Sequence, residues 1–372
     1  MFHLMITLVY IIPNIYVCLR MMQLFVNKGQ RINYLLIYFL FALIYPVSNL
    51  FSQDDTGFWA RILTSTAGYL LPFYLYLFLF LLVLEFVLLI NLIFRVVSFE
   101  KLRQPGIRTI VLSVLVSLSA TVVIGGIINF NMIQVSEYRI TVPRKLAKID
   151  HLKIAFVADF HLREQNNINF VKRFKKKIDE INPDLMLYGG DIVEGNRSNN
   201  KMAELENLLG QIHPKYGVFG VLGNHEYYGG QDKGNFFDKA GIKILLDSNI
   251  LIDNSFNLLG RYDGHFNNRK SIEDLMKSVN DSFPTILLDH RPTELEEVSK
   301  TAVDIQLSGH THNGQLFPIS LIIQSMYRLS WGYEKIGNTH FFVTSGIRLW
   351  GPPVRTTGKS EIMVIDVGFT AK

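Results

Sequence analysis

The sequence predicts an all-α membrane region followed by a layered α/β domain that contains more than one sheet. Three observations predict this. Four long apolar stretches crowd the first third of the 372 residues. After them, short apolar runs alternate with amphipathic segments, the pattern of strands packed under helices. Five of those runs stop abruptly at Asp, His or Asn. The division falls near residue 135, giving 1–135 as the membrane region and 136–372 as the layered domain.

The apolar stretches run roughly from Met1 to Val17, Tyr34 to Phe51, Ala67 to Phe94 and Thr109 to Phe130, and a membrane-crossing helix needs about 20 mainly apolar residues. The third is the clearest, because its core, Leu70 to Leu84, could not stay soluble as a surface helix. Glu85 follows inside the same span. A membrane-embedded acid is either functional or a protonated or hydrogen-bonded packing partner, and the second reading is preferred. Met1 to Val17 lacks a basic n-region and a small-residue cleavage site, so it reads as a retained helix rather than a signal peptide.

Charge sets the orientation. Residues 1–135 carry 8 of the 37 Lys and Arg but only 4 of the 32 Asp and Glu, so most of the formal +5 lies there. Arg20, Lys28 and Arg31 fall between the first two stretches, and Arg95, Lys101, Arg103 and Arg108 between the last two. The intervening loop has Asp54, Asp55 and only Arg61. The positive-inside rule puts the first and third loops in the cytoplasm. The expectation is a multi-pass cell-membrane protein whose second domain is extracytoplasmic, although Arg139, Arg144, Lys145 and Lys148 pull the other way. Basic residues in membrane loops give no reason to expect a nucleic-acid partner. The single cysteine, Cys18, excludes an intrachain disulfide and a Cys-based zinc cluster.

In the second domain a connector around Glu137 to Asp150 precedes the first run. Asn169 to Ile181 reads as a helix burying Phe170, Val171, Phe174 and Ile178, with Lys172, Arg173 and Lys175 to Lys177 on a solvated face. Asn200 to Leu209 and Ser271 to Val279 are shorter helices. Asn254 to Arg261, His340 to Thr344 and Glu361 to Val367 are further strands, which calls for a second sheet.

The five runs carry the chemistry. They end at Asp159-Phe160-His161, Gly190-Asp191, Gly223-Asn224-His225-Glu226, Asp289-His290 and Ser308-Gly309-His310-Thr311-His312. Ligands gather outside the carboxyl ends of strands in open α/β sheets. Residues two apart share a face of a strand, so Asp159 and His161 can grip one ion if the chain stays extended. Glycines before Asp191 permit a sharp turn, and a carboxylate can bridge two cations. Each piece alone reads most simply as a turn, a cap or a packed histidine. Together they gather half of the ten histidines at strand ends, where uncompensated Asp and His would be costly. Two carboxylates, a carboxamide and several imidazoles without thiolate suit Mn, Fe or Zn rather than a structural zinc site. His3, His151, His213, His265 and His340 lack this context, and Asp184, Asp263 and Asp304 are preferred as caps or turns.

Taken in order, Asp159-Phe-His161, Gly190-Asp191, Gly223-Asn224-His225-Glu226, His290 and Gly309-His310-Thr-His312 resemble the signature blocks of calcineurin-like metallophosphoesterases over residues 150 to 370. Leu287 to Pro292, Ser308 to Gln315 and Trp350 to Pro353 resemble the membrane-anchored bacterial branch. The resemblance implies a four-layer α/β/β/α sandwich with two divalent or trivalent metal ions. It implies that Asp159, His161 and His312 hold one, that Asn224, His290 and His310 hold the other, and that Asp191 bridges them. Asp289 departs from many relatives; it orients the imidazole of His290 or faces solvent.

Two cations about 3.5 to 4 Å apart can share a hydroxide that attacks phosphorus in line. His225 is then the general acid rather than a ligand. The expected substrate is a phosphate ester, with a lipid phosphate or pyrophosphate suggested by the apolar segment Gly314 to Tyr333, for which core packing is the slightly preferred reading. Arg291, Arg348 and Arg355 are candidate phosphate contacts. Two other readings compete: a transporter or sensor with a regulatory metal-binding domain, which Glu85 and the four spans permit, and a non-catalytic interaction domain, which would not need His225.

Overall fold

The computed structural model describes residues 2–51, 57–162, 168–194, 200–228 and 234–370. They divide into a helical unit, Met1–Ile128 with Gly351–Thr356, and a second unit, Asn129–Trp350 with Thr357–Lys372. The expected acidic loop residues Asp54 and Asp55 lie outside the described residues.

The helical unit comprises α1 (Phe2–Phe25), α2 (Arg31–Ala42), α3 (Ile44–Ser48), α4 (Phe58–Phe94), α5 (Phe99–Leu102) and α6 (Pro105–Asn131). Proline opens α6, where its missing N–H costs nothing. Arg95 ends α4 in the left-handed region, with Asn91 bonding both backbone groups of Val97. Among the described residues three stretches are long and apolar enough to cross a membrane: Lys28–Ser48, Phe58–Phe94 and Pro105–Asn131. The expected first span, Met1 to Val17, falls in α1, and the side chains of its first nine residues lie outside those described.

Two expectations change here. Arg20 is not in a loop but inside α1, and its guanidinium pairs with the Glu85 carboxylate of α4, Nη2 to Oε2 at 2.7 Å. Glu85 therefore takes the packing role preferred for it, through a cationic partner rather than a proton. The short piece Gly351–Thr356 also packs in this unit. Arg355 N donates to Gly126 O at 3.0 Å, and a Cβ on Gly126 would lie 2.6 Å from Val354 Cγ1, so only glycine fits there.

The second unit holds β1 (Ile133–Pro143), β2 (His151–Val157), α7 (Ile168–Ile181), β3 (Leu185–Tyr188), α8 (Asn200–Leu209), β4 (Val218–Gly220), α9 (Asn224–Tyr228), α10 (Gly234–Lys239), β5 (Lys243–Ile244), β6 (Ser248–Ile252), β7 (Phe256–Gly260), α11 (Ile272–Met276), β8 (Thr285–Leu288), α12 (Leu295–Val298), β9 (Ile305–Ser308), α13 (Ile319–Met326), β10 (Gly332–Ile336), β11 (Thr339–Val343) and β12 (Ser360–Thr370). The connector expected around Glu137 to Asp150 is in part β1, which pairs in parallel with β12 from Ile133↔Ser360 to Pro143↔Thr370. Its Ile140 and Val142 join the core between the sheets, while Ile133 and Val135 pack on the other face.

Two six-stranded sheets form, ordered β1-β12-β2-β3-β4-β5 and β10-β11-β9-β8-β7-β6. Their facing sides share one core, including Ile154, Phe156, Leu187, Leu258, Ile286 and Leu307. The outer face of the first sheet buries Phe170 and Phe174 of α7, Leu205 of α8 and Phe236 of α10. The outer face of the second packs Leu275 of α11 and Val298 of α12. The result is an α/β/β/α sandwich. Strands β2, β3 and β4 run parallel in one sheet, as do β8 and β9 in the other, so their carboxyl ends gather at matching rims. The lysine face of α7 is solvated as expected, with Lys175–Asp179 and Lys177–Glu180 pairs at 2.7 and 2.8 Å.

Candidate metal centre

Each strand of that set releases its side chains immediately beyond its last ladder bond. The backbone does not remain extended after β2 as the pleat argument required. Asp159 and His161 have φ of 58° and 46°, so they converge through a turn. Asp191, His310 and His312 are also left-handed, at 51°, 72° and 50°. Non-glycine residues in that region cost of order 1 to 3 kcal/mol each and persist where the surroundings over-determine them. Here the surroundings are backbone bonds across the rim: Asp159 N to Gly190 O, and His161 N to Asp191 O, both at 2.9 Å.

Glycine makes the close approach possible. A Cβ on Gly223 would sit 2.2 Å from Asp191 Oδ1, and Gly190 adopts φ 94°. The Glu226 carboxylate then accepts four amides, from Asp191, Ile192, Val193 and Gly223, at 2.6 to 2.9 Å. Buried backbone donors need partners, and this one carboxylate ties the β3 and β4 ends together.

Three sets of ligand atoms result, each within 4.8 Å of one another: Asp159, His161 and His312; Asp191, His290 and His310; and His161, Asp191 and His225. The first two coincide with the two trios that the resemblance implied, apart from Asn224 in the second. Asp159, His161, Asp191 and His290 are almost wholly buried. Asn224 is buried beside them with its Oδ1 lacking any hydrogen-bond partner, and so is His290 Nε2, which lies 3.3 Å from Asp191 Oδ2 without hydrogen-bond alignment. Orphaned buried acceptors of this kind are rare. Together with an all-N/O donor set, they fit a hard or borderline cation.

Electrostatics agree with that reading. Burial pushes the Asp159 carboxyl up to about 6 against the pull of His290 and His161. Burial also opposes ionisation of Asp191, but His290, His161 and His225 outweigh it and hold the carboxyl well below its usual range. Burial disfavours a charged His290, yet Asp191, Asp159 and Asp263 hold the imidazolium up to about 10; a proton there stands where a cation would balance the same carboxylates. His310 is driven down to about 3 by burial and by His290, which keeps the imidazole neutral, as a ligand must be.

His225 stands apart. Its ring is 22% exposed, whereas His161, His290 and His312 are buried and His310 is half-buried. Burial disfavours its charged form, but Glu194, Asp191 and Glu226 outweigh that and raise it. Glu194 Oε1 lies 2.8 Å from His225 Nδ1 and 2.6 Å from His161 Nδ1, so one carboxylate orients both rings and leaves their Nε2 atoms toward the centre. His290 is fixed likewise, Nδ1 to Gly189 O at 2.7 Å.

Neither Glu194 nor Glu226 was assigned from the sequence, although Glu226 stands in the quoted Gly223–Glu226 block and Glu194 lies three residues beyond Asp191. Asp289 follows neither expected course. It is fully buried and held by Arg269 at 2.9 and 3.0 Å and by Arg261 at 3.0 Å, with Glu294 closing the network. Asp184 and Asp304 take backbone amides of Lys153 and Thr285 at 2.8 Å. Asp263 takes His265 N at 2.9 Å, and also holds Arg291 Nε at 2.8 Å. Among the expected phosphate contacts, Arg291 is thus fixed next to His290 and its charge reaches His310. Arg348 instead stacks on Phe130 and Phe170 at 4.8 and 4.5 Å, and Arg355 is buried in the helical unit.

A family model described as calcineurin-like phosphoesterase matches residues 152–314. An "uncharacterized metallophosphoesterase" of Helicobacter pylori is 34% identical over 228 residues, 59% of this chain and 61% of that protein. Another of the same description from Aquifex aeolicus is 30% identical over 243 residues, 63% of this chain and 92% of that protein. A "transmembrane protein with metallophosphoesterase domain" of Danio rerio is 27% identical over 284 residues, 71% of this chain and 63% of that protein. The chain thus spans 61% of the length of the Helicobacter relative.

Proposed function

This chain belongs to the calcineurin-like metallophosphoesterase family, and from that premise we propose that it hydrolyses phosphoric ester or pyrophosphate bonds at a centre of two cations. Asp159, His161 and His312 would hold one ion and Asn224, His290 and His310 the other, with Asp191 shared. The observation that carries the reading is that the Asp159 and Asp191 sets each bring three ligand atoms within 4.8 Å, while Asn224 Oδ1 beside them has no partner. Mn, Fe and Zn suit this donor set. Two such cations, when bound, polarise a phosphoryl oxygen and lower the pKa of a water.

The chain's own residues do the rest. Glu194 holds His225 with its Nε2 toward the centre and keeps it protonated more readily than a free histidine. From there His225 can deliver its proton to the departing oxygen as general acid. Arg291, braced by Asp263, is placed to meet a phosphoryl oxygen beside His310.

Residues 1–135 would anchor this domain, residues 136–372, in a membrane through Lys28–Ser48, Phe58–Phe94 and Pro105–Asn131. Lys28, Arg31, Arg95, Lys101, Arg103 and Arg108 favour an outward-facing catalytic domain. Of the opposing cations, Arg144 and Lys145 are engaged by Asp150 and Asp304 at 2.9 and 2.8 Å. A lipid phosphate or pyrophosphate is the substrate that the apolar segment after His312 favours. The test is hydrolysis by the purified full chain, supplied with Mn²⁺, Fe²⁺ or Zn²⁺, across monoesters, diesters, nucleotides and lipid pyrophosphates. Turnover that chelation abolishes is expected; turnover indifferent to chelation, or none with any metal, overturns the reading.

A further inference from the structure

Of the segment Gly314 to Tyr333, Leu316 and Leu329 are buried as core packing requires, but the apolar residues of α13 are not. In α13 the side chains of Ile319, Leu321, Ile322 and Met326 are 40%, 54%, 59% and 66% exposed, while Ser320 is the residue that the helix buries. The four apolar side chains are thus exposed along with Gln324 and Ser325. Elsewhere in the second unit the large exposed apolar residues, such as Leu146, Leu251 and Phe266, are scattered singly, which is ordinary for a protein surface. A cluster of four within one short helix is not.

The helix is mechanically joined to the metal loop. A Cβ on Gly314 would lie 2.4 Å from Ser320 Cα, so the turn carrying His312 and the start of α13 are in backbone contact. At the far end Thr311 Oγ1 donates to Ser330 O at 2.5 Å, and the Tyr327 ring sits 6.4 Å from that of His310. Helix α13 therefore stands beside the ligand cluster.

Composition says what covers it. From Gly314 to Tyr327 no residue carries a charge. The nearest cation, Arg328, is occupied by Glu296 and by Glu334, the latter at 2.6 Å. The face thus offers no ionic rim to a water-soluble partner. The same chain carries three stretches long and apolar enough to cross a membrane, which would hold α13 near a bilayer. Resting on the phosphoesterase reading of the site, we propose that α13 is an interfacial helix that seats Ile319, Leu321, Ile322 and Met326 in the acyl region of a lipid bilayer. A lipid bound against it presents its phosphate at the His310 side of the centre.

Two measurements on the full chain in phospholipid nanodiscs test this. With Cys18→Ser as background, Ile322→Cys or Lys277→Cys is labelled with an environment-sensitive fluorophore and exposed to spin-labelled lipid. Strong quenching at position 322, and little at the exposed α11 neighbour 277, is expected. Equal, weak quenching at both overturns the proposal, and so does a 322 label that becomes shielded only by cross-linking to a second copy. This readout needs no turnover, so it stands or falls apart from the enzymatic reading. Leu321→Glu with Ile322→Glu should then lower hydrolysis of phosphatidate in the disc at least about ten-fold, the scale of withdrawing one large side chain from an apolar contact. Hydrolysis of a soluble chromogenic phosphate should stay within about two-fold, since the exposed pair touches no ligand residue. Equal losses on both substrates contradict the interfacial role.

Discussion

Asp289 and His290 are neighbours in sequence, both completely buried, and they belong to two charged clusters that meet the same electrostatic problem in opposite ways. The Asp289 cluster is closed in charge. Arg261 and Arg269 pair with Asp289 and Glu294 at 2.9 to 3.2 Å, two cations against two carboxylates, although Arg261 Nε has no partner of its own. The His290 cluster is open: its carboxylates and imidazoles converge within 4.8 Å, five residues hold left-handed backbone, and acceptors are left over. Burial of charge is therefore no sign of function by itself. What separates the two is whether the protein supplies the counter-charge or leaves a place for it.

Substitutions on each side should separate the clusters. Asp191→Asn removes the carboxylate proposed to be shared by the two ions, and hydrolysis is expected to fall by at least about 1,000-fold, the scale of losing a preorganised electrostatic group. Denaturant midpoints measured without metal should change little beside that loss. Asp289→Ala should do the reverse: it strands the buried Arg261 and Arg269, costing about 3 to 5 kcal/mol of folding stability by urea titration. The molecules that remain folded should bind metal as wild type does. If instead Asp289→Ala stays stable but loses metal, the two clusters are one.

Within the open cluster, His225→Ala tests whether the more exposed ring is chemical rather than ligating. Metal content should hold while turnover of an alkyl phosphate falls about 100-fold or more. Turnover at the wild-type rate on such a substrate would remove His225 from the mechanism. The smallest change expected is for Glu194→Gln, which keeps the shape but weakens the grip on His161 and His225. A loss of about 10- to 100-fold in metal affinity or activity is the range for such supporting groups. No loss in either quantity would mean that the rings orient themselves.

The open cluster was largely legible in the sequence, and the closed one was not. A strand-length apolar run ending in Asp or His is a local pattern, and five repeats of it name all seven ligand candidates. The layered α/β class was readable from the same runs, because buried strands betray themselves by composition. Glu194, Glu226 and Asp289 act through partners 20 to 35 residues away in sequence, at distances set only by the packed sheets. Arg20 was read as a loop residue because nothing local reveals a partner on another helix 65 residues on. The β1 strand escaped because its identity depends on pairing with the far end of the chain. Helix α13 was read with core packing slightly preferred over an exposed ledge, because an apolar run reads the same whether it is buried or exposed.

Metal stoichiometry is the most direct test of the open cluster. Elemental analysis of the full chain, purified after growth with Mn, Fe and Zn and dialysed free of loose ions, is expected to find two transition-metal ions per polypeptide. One ion would contradict the shared role of Asp191, and none would contradict the centre itself.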